Sequence, residues 1–228
     1  MHIIGNIPII AFNINILDFR RTIKDYTDAP LTRSLLLEIL REYKSPNDKI
    51  SELIKNGELI SLRRGIYVPG TKTDLPLPDS FLIANHLRGP SYVSLESALS
   101  FYGFIPERTY EISSVTVKPS KKYKTPIGRF GYQNLPTPYY SYGIRMVQLT
   151  HKQTALIASP EKAICDKIIL TSKINLRSVK QARAFLLEDL RIDENLLRAL
   201  DVEIITSWLE ETPKKSSLKT LILTLKEV

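Results

Sequence analysis

The sequence holds a single cysteine, Cys165, among its 228 residues, so it excludes an internal disulfide and cannot by itself build a thiolate zinc site. Histidine is nearly as scarce. Of the three, His2 stands at the start, and neither His86 nor His151 has a partner at metal-ligand spacing, which leaves a histidine metal centre or a catalytic triad without support. No glycine-rich phosphate loop occurs. The longest apolar runs, such as residues 35–37 and 155–158, fall far short of the roughly 20 residues that cross a bilayer. No enzyme, no cofactor and no membrane contact are expected on these grounds. The opening residues Met-His-Ile-Ile-Gly show neither a basic segment nor a small-residue cleavage site, so the cytoplasm is the default expectation.

Acid is also missing, but locally. Between Glu111 and Glu161 there is no Asp or Glu, while the same stretch carries Lys118, Lys121, Lys122, Lys124, Arg129, Arg145 and Lys152. With a net charge of +8 overall, this one-sign stretch points to an anionic partner.

What is present is periodicity. Residues 14–27 place Ile16, Phe19, Ile23 and Tyr26 on one helical face. Pro30 suits the opening turn of a second helix, with Leu31, Leu35, Leu36, Ile39 and Tyr43 inward. Ser45-Pro46 reads as N-cap and N1 of a third helix that keeps Ile50, Leu53 and Ile54 inward and ends at Gly57. Residues 58–69 alternate around Arg63-Arg64-Gly65 as a short hairpin. Helix, tight turn, helix, glycine, hairpin is the order of a winged helix-turn-helix over residues 1–70. A helical cap on a β-ribbon with no nucleic-acid role is the plainer alternative. Residues 71–80, with two prolines and no helical period, read as a linker.

The remainder, 81–228, reads as a larger mixed α/β domain, so the fold class expected is α+β. Helices are expected near 79–87 and 94–102, and β segments near 112–117, 128–132 and 144–150. A helical end follows: Ser159-Pro160 repeats the cap arrangement, and further helices fit 178–190, 193–200, 201–211 and 217–226.

In a winged helix the helix before the wing enters the major groove. Here Asn47, Ser51 and Lys55 form one stripe of that helix, and Lys49 lies apart, beside the apolar face. Asp48 and Glu52 share its solvent side and repel phosphate, with Asp48 expected to be taken up in capping. Arg63 and Arg64 beside Gly65 suit a wing tip that offers a guanidinium to phosphate or to a narrow minor groove. Arg33, Arg20 and Arg21 read equally as backbone contacts or as solvated charges. In the second domain Lys118, Lys121, Lys122, Lys124 and Arg129 alternate with Tyr123, Phe130 and Tyr132, which suits a basic nucleic-acid surface whose aromatics serve mostly as core. Cys165 reads as a buried structural thiol, Glu161 as helix capping, and Lys162 with Asp166 as a surface i, i+4 pair.

Three segments carry a family likeness: ISLRRGIYVPG (60–70), SYVSLESALSFYGFIPERTYEISSVTVKPSKKYKTPIGRFGYQNL (91–135) and ASPEKAICDKI (158–168). On these the chain resembles the abortive-infection antitoxin family (AbiEi-like) of type IV toxin-antitoxin systems. The resemblance implies a cytoplasmic DNA-binding regulator that represses its own operon through inverted repeats in the promoter double-stranded DNA. It also implies a C-terminal domain needed for antitoxin action, opposing a nucleotidyltransferase-like toxin without a stable complex, and a monomer or weak dimer in solution. By position, the family's wing arginines fall on Arg63 and Arg64 and its basic strands on Lys118 to Arg129. The apolar residues 1–13 and the acids Asp48 and Glu52 depart from the family pattern. A protein-interaction module that keeps the winged helix only as scaffold is the alternative.

Overall fold

A computed structural model of the chain describes residues 16–107 and 109–228, with side chains from Phe19 onward. The apolar segment 1–13 lies outside the described residues. The chain is mixed α and β and divides into two compact units, Met1–Leu77 and Pro78–Val228.

In the first unit, helix α1 (Ile16–Lys24) buries Phe19 and Ile23, while Tyr26, expected inward, lies beyond the helix end and is 45% exposed. Pro30 does not open the second helix. Leu31–Thr32 instead forms a short strand, β1, and α2 (Arg33–Ile39) begins after it, with the Thr32 hydroxyl accepting from Leu35 N. Helix α3 (Pro46–Lys55) has Pro46 in its first turn as expected, but Ser45 does not cap it. The Ser45 hydroxyl donates to Asp48 Oδ2 at 2.5 Å, so serine and aspartate pair with each other. Ile50 and Leu53 are buried, whereas Ile54, expected inward, is partly exposed. Gly57, at φ +76°, ends the helix in the left-handed region that glycine tolerates.

Strands β2 (Leu59–Arg63) and β3 (Ile66–Pro69) form an antiparallel hairpin with a register shift between Ser61 and Arg63. β1 pairs with β3 (Leu31 opposite Tyr67, Thr32 opposite Ile66), giving the sheet order β1-β3-β2. Residues 71–77, read as linker, pack on this unit: Thr73 is buried, Leu75 lies against the core, and Lys72 N donates to Gly57 O at 3.1 Å.

The second unit is built on a six-stranded mixed sheet. Its strands are β4 (Ser91–Val93), β5 (Glu111–Thr116), β6 (Lys121–Thr125), β7 (Gly128–Asn134), β8 (Ile144–Gln148) and β9 (Thr154–Ala158), in the order β6-β7-β5-β4-β9-β8. Pairings β4·β9 and β5·β7 are parallel, and the other three are antiparallel. Helix α4 (Ser80–Leu87) is capped by Asp79 and packs on β4 and β9. Helix α5 (Leu95–Phe101) lies on β5, and α6 (Pro160–Leu170) packs on α5, with Ser159 Oγ accepting from Lys162 N as Ser-Pro at a helix start should. The helical end comprises α7 (Val179–Ala184) running into a π turn at Phe185–Asp189, then α8 (Glu194–Arg198), α9 (Val202–Ser207) and α10 (Lys215–Lys226). Lys214 holds the end of α6: its ammonium donates to the carbonyls of Ile168, Thr171 and Ile174 at 2.7–2.9 Å.

Candidate nucleic-acid interface

In the first unit the exposed edge of α3 is already organised. Arg33 donates to Asn47 Oδ1 at 2.7 Å, and Ser51 Oγ donates back to Asn47 O at 3.1 Å. Lys49 is half-buried, pairs with Glu52 at 2.8 Å and sits 5.2 Å from the Tyr43 ring centroid. Its charge is thus spent within the helix, and so is that of Glu52, while Asp48 is engaged by Ser45. Asn47, Ser51 and Lys55 face solvent, as do Asp48 and Glu52, with Arg33 bonded to Asn47.

The hairpin turn projects Arg63 and Arg64, both exposed, beside Gly65 at φ +87°. Gly65 O accepts from Arg33 N at 3.0 Å, so the turn is tied to the start of α2. Arg20 is removed from the candidates. It makes a two-pronged contact with the buried Glu58 (Nε to Oε2 2.7 Å, Nη2 to Oε1 2.6 Å), which gives that carboxylate its counter-ion.

In the second unit the basic stretch becomes the β6–β7 hairpin. Register sets Lys122 opposite Gly131 and Lys124 opposite Arg129, with Ser113 and Glu111 next in the same rows on β5. Lys122, Lys124 and Arg129 therefore share one face. Lys121 lies on the other, 4.9 Å from the Tyr123 ring centroid. Lys118 stands apart: its ammonium donates to Gly89 O. Phe130 and Tyr132 are buried, as expected for core aromatics, and Tyr132 OH donates to Ala84 O at 2.7 Å. Gly131 is a feature that reading the sequence missed. A Cβ there would collide with the Glu111 carboxylate, which lies across the sheet 3.3 Å from Lys122. Beside them a recess of about 390 Å³ is lined by Leu95, Ser113, Ser120, Lys122 and Gln133 among others.

Lys162 and Asp166 are not a surface pair. Both are fully buried, with Nζ 3.0 Å from Oδ1. Asp166 Oδ2 accepts from Tyr92 OH at 2.9 Å and Ser94 Oγ at 2.7 Å. Lys162 donates to Tyr139 O at 3.0 Å and lies 3.3 Å from that tyrosine's ring centroid. Burial pushes the Lys162 ammonium down, against the pull of Asp166, and pushes the Asp166 carboxyl up, against Lys162 and the two hydroxyls. Glu161 is buried too, accepting from Asp201 N at 3.3 Å, with Arg145 3.6 Å from its other oxygen. Cys165 is buried as expected, and burial raises its thiol far above the usual range. This cluster cross-braces β4, the Tyr139 segment and α6. Among the described residues no His, Cys, Asp and Glu group has metal-holding geometry, and no helix is long and apolar enough to cross a membrane.

Compared with known proteins, the chain matches no family model, and no curated protein is similar to it at a significant level.

Proposed function

We propose that this chain is a DNA-binding transcriptional regulator whose first unit is a winged helix-turn-helix. The observation that carries the reading is the arrangement of that unit. Two helices joined by a short turn are followed by a hairpin, β1 closes the sheet in the order β1-β3-β2, and an arginine pair sits at the hairpin's exposed tip. In this reading α3 enters the major groove with Asn47, Ser51 and Lys55, Arg33 steadies Asn47, and Arg63 and Arg64 reach phosphate or the minor groove. The face of β6 and β7 carrying Lys122, Lys124 and Arg129 adds a second cationic surface. Its contribution is to affinity, since lysines on phosphate carry no sequence information.

The likeness of 60–70, 91–135 and 158–168 to AbiEi-like antitoxins extends the proposal. The chain represses its own operon through inverted repeats and serves as the antitoxin of a type IV pair, in the cytoplasm, opposing a nucleotidyltransferase-like toxin without a stable complex. The test is a gel shift with the DNA immediately upstream of the gene, run at two salt concentrations against a scrambled duplex. Specific retardation that weakens steeply with salt supports the regulator. Equal, weak binding to both duplexes refutes it and favours a protein-contact scaffold.

A further inference from the structure

We propose that the second unit pairs with a second copy of itself along the free edge of β8, continuing the sheet across a two-fold axis at Met146. The sheet ends in β6 on one side and β8 on the other. A free edge offers unpaired N–H and C=O groups to any other strand, and proteins blunt such edges with lysine, proline or bulges. β6 follows that rule with Lys121, Lys122 and Lys124. β8, Ile-Arg-Met-Val-Gln, carries no lysine and no proline, and its ladder to β9 runs without a register shift.

The flanking bonds show which backbone groups face outward. Leu149 N donates to Gln153 O and Ser159 N to Gly143 O, each at 2.8 Å. Bonded pairs alternate in an antiparallel ladder, so Arg145 and Val147 turn their amides toward β9, and Ile144, Met146 and Gln148 turn theirs outward. A two-fold axis at Met146 matches these groups to themselves: Met146 bonds the second copy's Met146, and Ile144 bonds its Gln148.

The side chains agree with that register. Met146, 76% exposed, lies directly opposite Leu156, 39% exposed, so the two stand in one row on one face. The proposed axis extends that row as Leu156, Met146, then the second copy's Met146 and Leu156, an unbroken apolar line covering side chains that solvent otherwise surrounds. Arg145 meets Val147, so no like charges oppose, and Arg145 already lies 3.6 Å from Glu161. This local balance lets two chains of charge +8 approach at this edge. The inference stands without the DNA-binding reading, because its test measures association alone.

The experiment is sedimentation equilibrium on the full chain across a dilution series, with Met146→Lys as the variant. Placing like charges opposite each other across the axis should weaken the dimer by about tenfold or more, with Trp208 fluorescence unchanged. In parallel, Met146→Cys is treated with a short bis-maleimide, and Lys124→Cys on the β6 edge serves as the control. The buried Cys165 stays silent. Efficient dimer cross-linking through position 146 and not through 124 supports the pairing. A chain monomeric at every concentration, a dimer indifferent to Met146→Lys, or β8 taking up an unrelated extended peptide in place of its own copy overturns it.

Discussion

The buried Lys162–Asp166 pair gives the sharpest test of how the second unit holds together. Both side chains are fully excluded from solvent, so deleting one strands the other's charge. Breaking such a pair costs about 3–5 kcal/mol, whereas neutralising both partners costs far less. Asp166→Asn keeps an acceptor for Tyr92 and Ser94 but leaves the ammonium without a counter-ion. With a urea slope of about 2 kcal/mol per molar, the midpoint should fall by about 1.5–2.5 M. Lys162→Met should fall comparably. The double variant should recover at least about 2 kcal/mol of the summed loss, since coupled sites depart from additivity by that order.

The assay is built in. Trp208 is the only tryptophan and stacks parallel on Tyr142 within this unit, so its emission follows unfolding of the second unit and not of the first. A pH series adds an independent sign. Because burial raises the Asp166 pKa, the folded state holds that proton more tightly than the unfolded chain. This carboxyl's contribution is therefore greatest at low pH and declines as pH rises from its ordinary value through the raised one. Asp166→Asn should remove that decline. A single-variant midpoint shift under about 0.5 M, or a double variant equal to the sum of its singles, would refute the bracing role.

Four further outcomes are expected. Arg63→Ala with Arg64→Ala should lower promoter affinity and reduce the salt slope by about 2, read by fluorescence anisotropy; an unchanged slope removes the wing from the DNA surface. Neutralising Lys122 and Lys124 together should flatten the slope by a similar amount with sequence preference intact, whereas neutralising Lys121, on the opposite face, should change it least. Lys214→Met should cost about 2–3 kcal/mol in the Trp208-monitored melt, since three carbonyls lose a charged donor. Gly143→Ala should destabilise by about 2–4 kcal/mol: φ is +61°, and a Cβ would stand 2.7 Å from Lys162 Cβ and 2.8 Å from Trp208 Cη2.

Local rules were readable where local forces decide. Ser159-Pro160 begins α6 with its hydroxyl on Lys162 N, and Asp79 precedes α4. The same dipeptide at Ser45-Pro46 places the proline correctly but loses the serine cap, because Asp48 competes for the hydroxyl at 2.5 Å. Leu31–Thr32 reads as helix on periodicity and becomes strand because β3 offers it a partner, a tertiary gain that the segment itself does not carry. β6 falls within the stretch Lys118 to Arg129 where the family's basic strands lie, although three lysines in five residues keep it from standing out as a strand on hydropathy. On a helical wheel Lys162 and Asp166 look solvated; only the packing of α5, α9, α10 and the sheet around α6 reveals that this helix has no wet face there. Of the candidate DNA contacts, residue types and spacing indicated Asn47, Ser51, Lys55 and the wing arginines. Lys49, set apart beside the apolar face, and Arg20, which reads equally as a solvated charge, are held by partners outside the groove-facing stripe, Glu52 and Glu58.

The short wrap after β3 determines where this polypeptide can be divided. Gly70 lies so close to the Gly57 carbonyl that a Cβ would collide with it, and the next residues return to the same place: Gly70 N reaches Glu58 O, and Lys72 N reaches Gly57 O. Thr73 and Leu75 then close over the core. A protease probing the native first unit should therefore cut poorly where Thr73 and Leu75 close over the core, and an N-terminal fragment ending at Gly70 should be less stable than one ending at Leu77.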